Sequence, residues 1–340
     1  MKYSNTLHYQ LQGVNPDKLE KLTGDRFAWR EERMKANRLV RLYHLAGYEA
    51  YAERVEGCST WLQFRVQGDR RELNSANFCK LRLCPICTAR GAVVRAKLLS
   101  KVMDAAQAQH GGQYIFLTLT VRNVPGAELR DAVGHLLKAW DKLRRQVDVA
   151  RAVKGWFRAL EITRPGPDTY HPHIHAILAV DDVYFARSEG LYLSQAEWVR
   201  HWQTALGVDY RPSVRIQRTT DGKGGKGAVL EAAKYVTKDA DYISDSLSDK
   251  DAARIVEVYT KALWHRRLTA YGGRLKEMAQ RLQADDLDHV DLVQGEDAAI
   301  REDLADVIEE YGWHFGAGDY VLARRYTNPL RVKREGDRDG

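Results

Sequence analysis

No apolar run in this chain reaches the roughly 18 residues that a membrane-crossing helix needs, which excludes a helical membrane protein. Met1–Gly13 lacks the apolar core of a secretory signal, so the expectation is a chain that is not exported. Cysteine is absent outside Cys58, Cys79, Cys84 and Cys87. Acidic residues are missing from Cys79 to Lys101, where Lys80, Arg82, Arg90, Arg95, Lys97 and Lys101 stand alone. The reverse holds over Asp285–Glu310, where eleven acidic residues meet a single Arg301. The tail turns basic again at Arg324, Arg325, Arg331, Lys333 and Arg334. A basic block followed by an acidic one suits a DNA-facing region and a second surface turned elsewhere, with solvated helix faces as the ordinary alternative. The net charge of +7 and pI near 9.1 permit a polyanionic partner without demanding one. At 340 residues there is length for two or three compact units.

The most informative stretch is Thr169–Val180, TYHPHIHAILAV. In an extended chain, side chains at i and i+2 share a face. His173 and His175 then project together, while Ile174, Ala176, Leu178 and Val180 go to the other side. Two imidazoles on a rigid strand make half of a metal site; the ordinary alternative is a pair of core histidines bonded to backbone. The preceding run Trp156–Thr163 also reads as a strand, and the intervening RPGPDTY is a turn rich in proline and glycine. A hairpin centred near Pro167 sets Glu161 opposite His173. Cross-strand neighbours lie about 5 Å apart, against about 13 Å for residues i and i+4 along one strand. Glu161 is therefore the expected third ligand, and His171 is too far from His175 unless the strand bends at Pro172. Such mixed nitrogen and oxygen ligation suits Mn²⁺, and Mg²⁺ acceptably.

Cys84 and Cys87 form C-P-I-C, a spacing that lets two thiolates bind one ion, and Cys79 and Cys58 complete a candidate four-cysteine zinc site. A disulfide pair and a redox CxxC are the alternatives. The first is disfavoured without an export signal; the second usually lies beside a βαβ pattern, whereas this one opens into the basic helix TARGAVVRAKLLSKVMDAAQAQ. That helix is expected to be aimed at phosphates.

A helical region from about Asp25 has apolar residues at Met34, Val40, Leu42 and Leu45, with a break at Gly47. Tyr114–Val121 is a strand with Phe116, Thr118 and Thr120 on one side. A helix over about Glu128–Val149 carries an apolar stripe at Leu129, Val133, Leu136, Trp140, Leu143 and Val147. Ser194–Leu206 is a helix opened by the capping box Ser194–Glu197, and Ser213–Arg218 is a short strand. The glycine-rich TTDGKGGKG leads into AVLEAAKYVTKDADY, where Glu231, Tyr235 and Lys238 share one helix face. A phenol is a poor nucleophile at its free pKa of about 10 and needs a neighbouring base or positive charge. A patterned surface helix is the alternative. Ile300, Leu304, Val307 and Ile308 give the acidic stretch a helical period.

Four of these stretches, in this order, resemble one family. CKLRLCPICTAR, FLTLT (116–120), HPHIHAIL (171–178) and EAAKYVTKDADY (231–242) look like the motifs of HUH endonucleases. The closest branch is the rolling-circle replication initiators (Rep proteins) of small bacterial plasmids that use a single catalytic tyrosine. The resemblance covers roughly residues 79–245. It implies an α+β fold, with a central antiparallel sheet of about five strands, flanking helices and the metal hairpin at its centre; the apolar faces of Ala176–Val180 suit a covered central strand. His173 and His175 would be metal ligands, with Glu161 the candidate third. Tyr235 would attack phosphorus to give a 5′-phosphotyrosine and a free 3′-OH. Glu231 would activate water for the terminating cleavage, and Lys238 would stabilise charge at the phosphate. Tyr242 is a rival nucleophile.

The expected layout is a helical N-terminal region (1–57), a Cys-rich zinc module with its basic helix (58–101), a nuclease domain (102–245) and a mainly helical C-terminal region (246–340). The implied substrate is single-stranded or extruded origin DNA, with Trp156 and Trp202 as candidate stacking platforms. A host helicase is a candidate further partner of the acidic region, and the implied compartment is the bacterial cytoplasm. Three rivals remain: a histidine-triad nucleotide hydrolase, an HUH transposase or relaxase, and a non-catalytic zinc-dependent DNA-binding protein.

Overall fold

The computed structural model describes residues 15, 18–218, 244, 246–293 and 305–329. In chain order the first elements are helices α1 (Trp29–Leu45) and α2 (Glu49–Glu56), strands β1 (Trp61–Gln67) and β2 (Arg70–Ala76), and helix α3 (Pro85–His110). Strand β3 (Gln113–Thr120), helices α4 (Leu129–Leu143) and α5 (Val147–Ala152), and strands β4 (Val153–Gly166) and β5 (Thr169–Val180) follow. Next come α6 (Gln195–Leu206), β6 (Val214–Arg218), α7 (Asp249–Leu263), β7 (Thr269–Gly272) and α8 (Gly273–Arg281). Strands β8 (Val307–His314) and β9 (Asp319–Thr327) close the chain. Helices and two wholly antiparallel sheets make the class α+β, as expected. None of the described helices is long and apolar enough to cross a membrane.

The chain forms two compact units, Met1–Gly91 with Asp291–Gly340, and Ala92–Val290. These limits differ from the expected ones, because the C-terminal strands return to the sheet begun by β1. In the first unit the order is β2-β1-β8-β9. Both outer hairpins escaped the sequence reading. Gly68 turns β1 into β2 with a φ of +55°, and Gly318 serves the second hairpin at +56°, a region glycine enters without steric cost. Val307 and Ile308, read as part of a helix, lie on β8 instead; Ile300 and Leu304 are outside the described residues. The acidic character of that stretch misled because its partners are remote in sequence. Buried Glu309 receives Arg71 and Arg325 from the strands around it.

Helix α1 is present, but its buried face is not the expected one. Met34 and Leu45 are 48% and 62% exposed, whereas Trp29, Ala36, Leu39, Leu42 and Tyr43 are buried. Trp29 sets that phase by packing edge-on against Phe64 and Tyr320 of the sheet, with ring centroids 6.3 Å apart in both cases. Arg90, expected to face phosphates, is buried in the same unit over the rings of Phe27 and Trp29, with Nε donating to the Leu292 carbonyl at 3.1 Å.

The second unit is built on the order β6-β3-β5-β4-β7, so the β4–β5 hairpin occupies the middle of five strands. A strand in that place is covered on both sides, and β5 is buried continuously from Pro172 to Val180. Helix α4 buries the expected stripe from Leu129 to Leu143, then stops short of Val149. Val147 turns 73% exposed, and the chain restarts as the short α5 after an extended Gln146. Helix α6 has the expected capping box: Glu197 N–H donates to Ser194 Oγ, and Ser194 N–H donates to the Glu197 carboxylate at 2.7 Å. Strand β7 approaches β4 closely enough that a Cβ on Gly272 would fall inside the Trp156 indole.

Candidate active site

Strand pairing sets Glu161 of β4 directly opposite His173 of β5, and Thr118 of β3 opposite His175. Directly opposed residues in antiparallel strands project to one side. Glu161, His173 and His175 therefore meet on a single face, all buried. Glu161 Oε2 lies 3.0 Å from His173 Nε2 and 2.8 Å from His175 Nε2. His171 is not among the converging ligand atoms. Its ring centroid is 5.2 Å from that of His173, and burial followed by the charge of His173 holds its pKa low.

The far nitrogens determine what the near ones can do. His173 Nδ1 is 3.0 Å from the His171 carbonyl oxygen, which can only accept, so Nδ1 carries the proton. His175 Nδ1 is 3.2 Å from Thr118 Oγ1, and the Phe116 ring stacks on the same imidazole at 5.6 Å. When the imidazoles are neutral and each carries its proton on Nδ1, two Nε2 lone pairs and a carboxylate oxygen point at each other. Such a set wants either protons or a cation between its members. Burial alone would raise the Glu161 carboxyl, but its hydrogen bonds from His173 and His175 and their charge hold it far below the usual carboxylate range. Adjacent ligands of an octahedral Mg²⁺-type ion stand about 2.9 Å apart, so the spacing and donor types fit a divalent ion. Thr118 and the His171 carbonyl stand where the outer partners that orient ligating histidines stand in metal sites. Their roles were not read from the sequence, although the alternation in FLTLT already places Thr118 on the proper side.

The four cysteines form a second cluster, in the first unit. Their sulfurs all lie within 4.8 Å of one another, with Cys58–Cys87 at 3.5 Å and Cys79–Cys87 and Cys58–Cys84 at 3.6 Å. A tetrahedral zinc–thiolate centre has sulfurs about 3.8 Å apart, so these residues fit one ion held by four thiolates. Backbone amides support it: Cys79 N–H donates to Cys58 Sγ at 3.4 Å, and Leu81 N–H to Cys79 Sγ at 3.5 Å. Contact with Cys58 and the other thiols holds Cys79 far below its usual pKa and pushes Cys84 and Cys87 up.

Glu231, Tyr235, Lys238 and Tyr242 lie outside the described residues. The two tryptophans considered as stacking platforms are displaced from that role. Trp202 is fully buried, with Nε1 donating to the Thr120 carbonyl at 2.8 Å. Trp156 is on the face opposite the imidazoles, against Trp140 at 5.2 Å. Trp156 takes the opposite face because it stands an odd number of positions from Glu161 along β4.

A family model described as a replication protein matches residues 70–321. A protein called Protein rep from Streptococcus pneumoniae is 38% identical over 275 residues, covering 79% of this chain and 84% of its own. Protein rep from Bacillus amyloliquefaciens is 35% identical over 327 residues, covering 88% of this chain and 95% of its own. Protein rep from Lactiplantibacillus plantarum is 34% identical over 304 residues, with 86% and 95% covered. No solved structure matches significantly. The chain belongs to the replication-protein (Rep) family, the rolling-circle plasmid initiators whose motifs its own resemble.

Proposed function

We propose that this initiator nicks one strand of a plasmid origin and later rejoins it, through a covalent link to Tyr235. The observation that carries the proposal is the convergence of Glu161, His173 and His175 at the centre of the sheet, on a chain of the Rep family. The phenol oxygen of Tyr235 bonds to the scissile phosphorus and loses its proton, and the P–O3′ bond breaks. The products are a 5′-phosphotyrosine and a 3′-OH able to prime synthesis. Glu231 removes a proton from the water that attacks in the terminating cleavage, and Lys238 balances charge on the phosphate oxygens. Glu161, His173 and His175 would hold a divalent ion, Mn²⁺ or Mg²⁺, which would supply polarisation of the scissile phosphate. His173 keeps its Nε2 lone pair directed inward because its Nδ1 donates to the His171 carbonyl, and His175 does so when its Nδ1 donates to Thr118 Oγ1. The cysteine cluster holds structural zinc, and the substrate is single-stranded or extruded origin DNA.

The test is incubation of the protein with Mn²⁺ and origin single strands, followed by denaturing electrophoresis. A covalent adduct that maps to Glu231–Tyr242 and vanishes in Tyr235→Phe is the expected result. Binding without any adduct would select the non-catalytic alternative.

A further inference from the structure

On the imidazole side of the sheet, the register aligns one residue from each of the five strands: Arg215, Thr118, His175, Ala159 and Thr269. Arg215 thus shares the face of the ligand triad, two strands from His175, with Cα atoms about 10 Å apart at normal strand spacing. Strand β6 is the edge of the sheet, and Arg215 is exposed on it. Among the described residues its side chain makes no hydrogen bond or ion pair. Along the same row Thr269 and Ala159 are buried, so β6 is the side from which the row opens to solvent.

A second feature lies where Thr120 faces His173. The Arg122 guanidinium sits 4.0 Å from the centroid of the Tyr210 ring, and the Arg122 N–H donates to the Tyr210 hydroxyl at 3.3 Å. The Thr120 hydroxyl and N–H both donate to the Ser213 carbonyl, at 3.0 and 3.2 Å, which ties the segment carrying Tyr210 to the end of β3. Arg122 is exposed and Tyr210 half-exposed. The stretch Val208–Arg218 holds Arg211, Arg215 and Arg218 against Asp209 alone.

We propose that this edge is the track for the single strand flanking the cleaved phosphate. Arg215 clamps a neighbouring backbone phosphate, and Tyr210, held by Arg122, is a platform for an unstacked base. The assignment rests on the nuclease reading above. Its chemistry favours single-stranded DNA, because an aromatic ring beside a basic edge offers stacking to a base whose face is free, and a base inside a duplex is stacked on both faces. The opposing account makes Arg215 a charge that merely keeps an edge strand from pairing with another chain.

The experiment uses full-length Tyr235→Phe protein, which leaves the strand uncut, and a fluorescent origin single strand titrated over a salt series. Arg215→Ala should weaken binding roughly tenfold and lower the slope of log K against log salt by about 0.7, the share of one phosphate contact. Arg215→Lys should restore the slope. Tyr210→Leu should weaken binding roughly tenfold with the slope unchanged, while Tyr210→Phe stays near the parent. Parental affinity and slope in Arg215→Ala overturn the clamp, and self-association of that variant with normal DNA binding assigns Arg215 to guarding the edge. Absence of an adduct with the unsubstituted protein would reject the nuclease reading and leave these affinities to be judged on their own.

Discussion

Arg33 reaches from α1 to the carbonyl oxygen of Cys58, the first residue of the cysteine cluster, and its other nitrogen donates to the Glu56 carbonyl at 2.7 Å. The side chain is wholly buried, with its guanidinium 5.7 Å from the centroid of Trp313. It satisfies carbonyls at the C-terminal end of α2, where a helix leaves acceptors without partners and favours positive charge. One buried cation thereby joins α1, the end of α2 and the cluster. Arg33→Met should lower the stability of the chain by about 2–4 kcal/mol, since it strands buried acceptors. Urea unfolding followed by tryptophan fluorescence measures this, and a loss under about half a kcal/mol would contradict the role.

Metal removal separates the two clusters. The purified chain should carry one tightly held zinc, released by a strong chelator together with cooperative unfolding around Cys58–Cys87. Cys84→Ser should lose that zinc while Mn²⁺ still binds at Glu161, His173 and His175. Elemental analysis and hydrogen exchange read the two effects separately.

Thr118→Val keeps the shape of the side chain and deletes the oxygen 3.2 Å from His175 Nδ1. Loss of such an outer partner typically weakens metal binding about 10- to 100-fold. Calorimetric titration with Mn²⁺ should show a drop of that order in Thr118→Val, and no measurable binding in His175→Ala.

Glu309 of β8 supplies a pH dependence within the sheet of the first unit. Burial alone would raise its carboxyl, but the hydrogen bond from Arg325 and the charge of Arg71 bring it below its ordinary value. The folded chain therefore holds this proton less readily than the unfolded one. The stabilisation is complete above the unfolded carboxylate pKa of about 4.3 and drains away as pH falls through the lower, folded value. Glu309→Gln should flatten that acid limb and cost about 1–3 kcal/mol at neutral pH. Thermal melts from neutral pH down to about pH 3 supply the comparison; an unchanged acid limb would exclude Glu309 as its source.

The triad was legible in the sequence because it depends on local rules. Alternation along a strand puts His173 beside His175, and a turn centred on Pro167 sets Glu161 across from them, so three residues within fifteen positions suffice. The four cysteines were legible for a like reason, their spacing being short and their number small. Trp202 and Trp156 were misjudged because a tryptophan's identity says nothing of where it packs: Trp202 of α6 is buried against the end of β3, and Trp156 packs on Trp140 of α4.

What the amino-acid order determined by itself was thus the period of β3, β4, β5 and α4, the turn between β4 and β5, the capping of α6 and the donor types at both clusters. Only the tertiary structure decided that β8 and β9 complete a sheet with β1, that the buried face of α1 follows Trp29, and that Arg33 and Arg90 are interior groups while Arg71 binds a buried carboxylate. Those outcomes depend on partners up to some 250 positions away, and a contact that closes so long a loop leaves no periodic trace in the segments it joins.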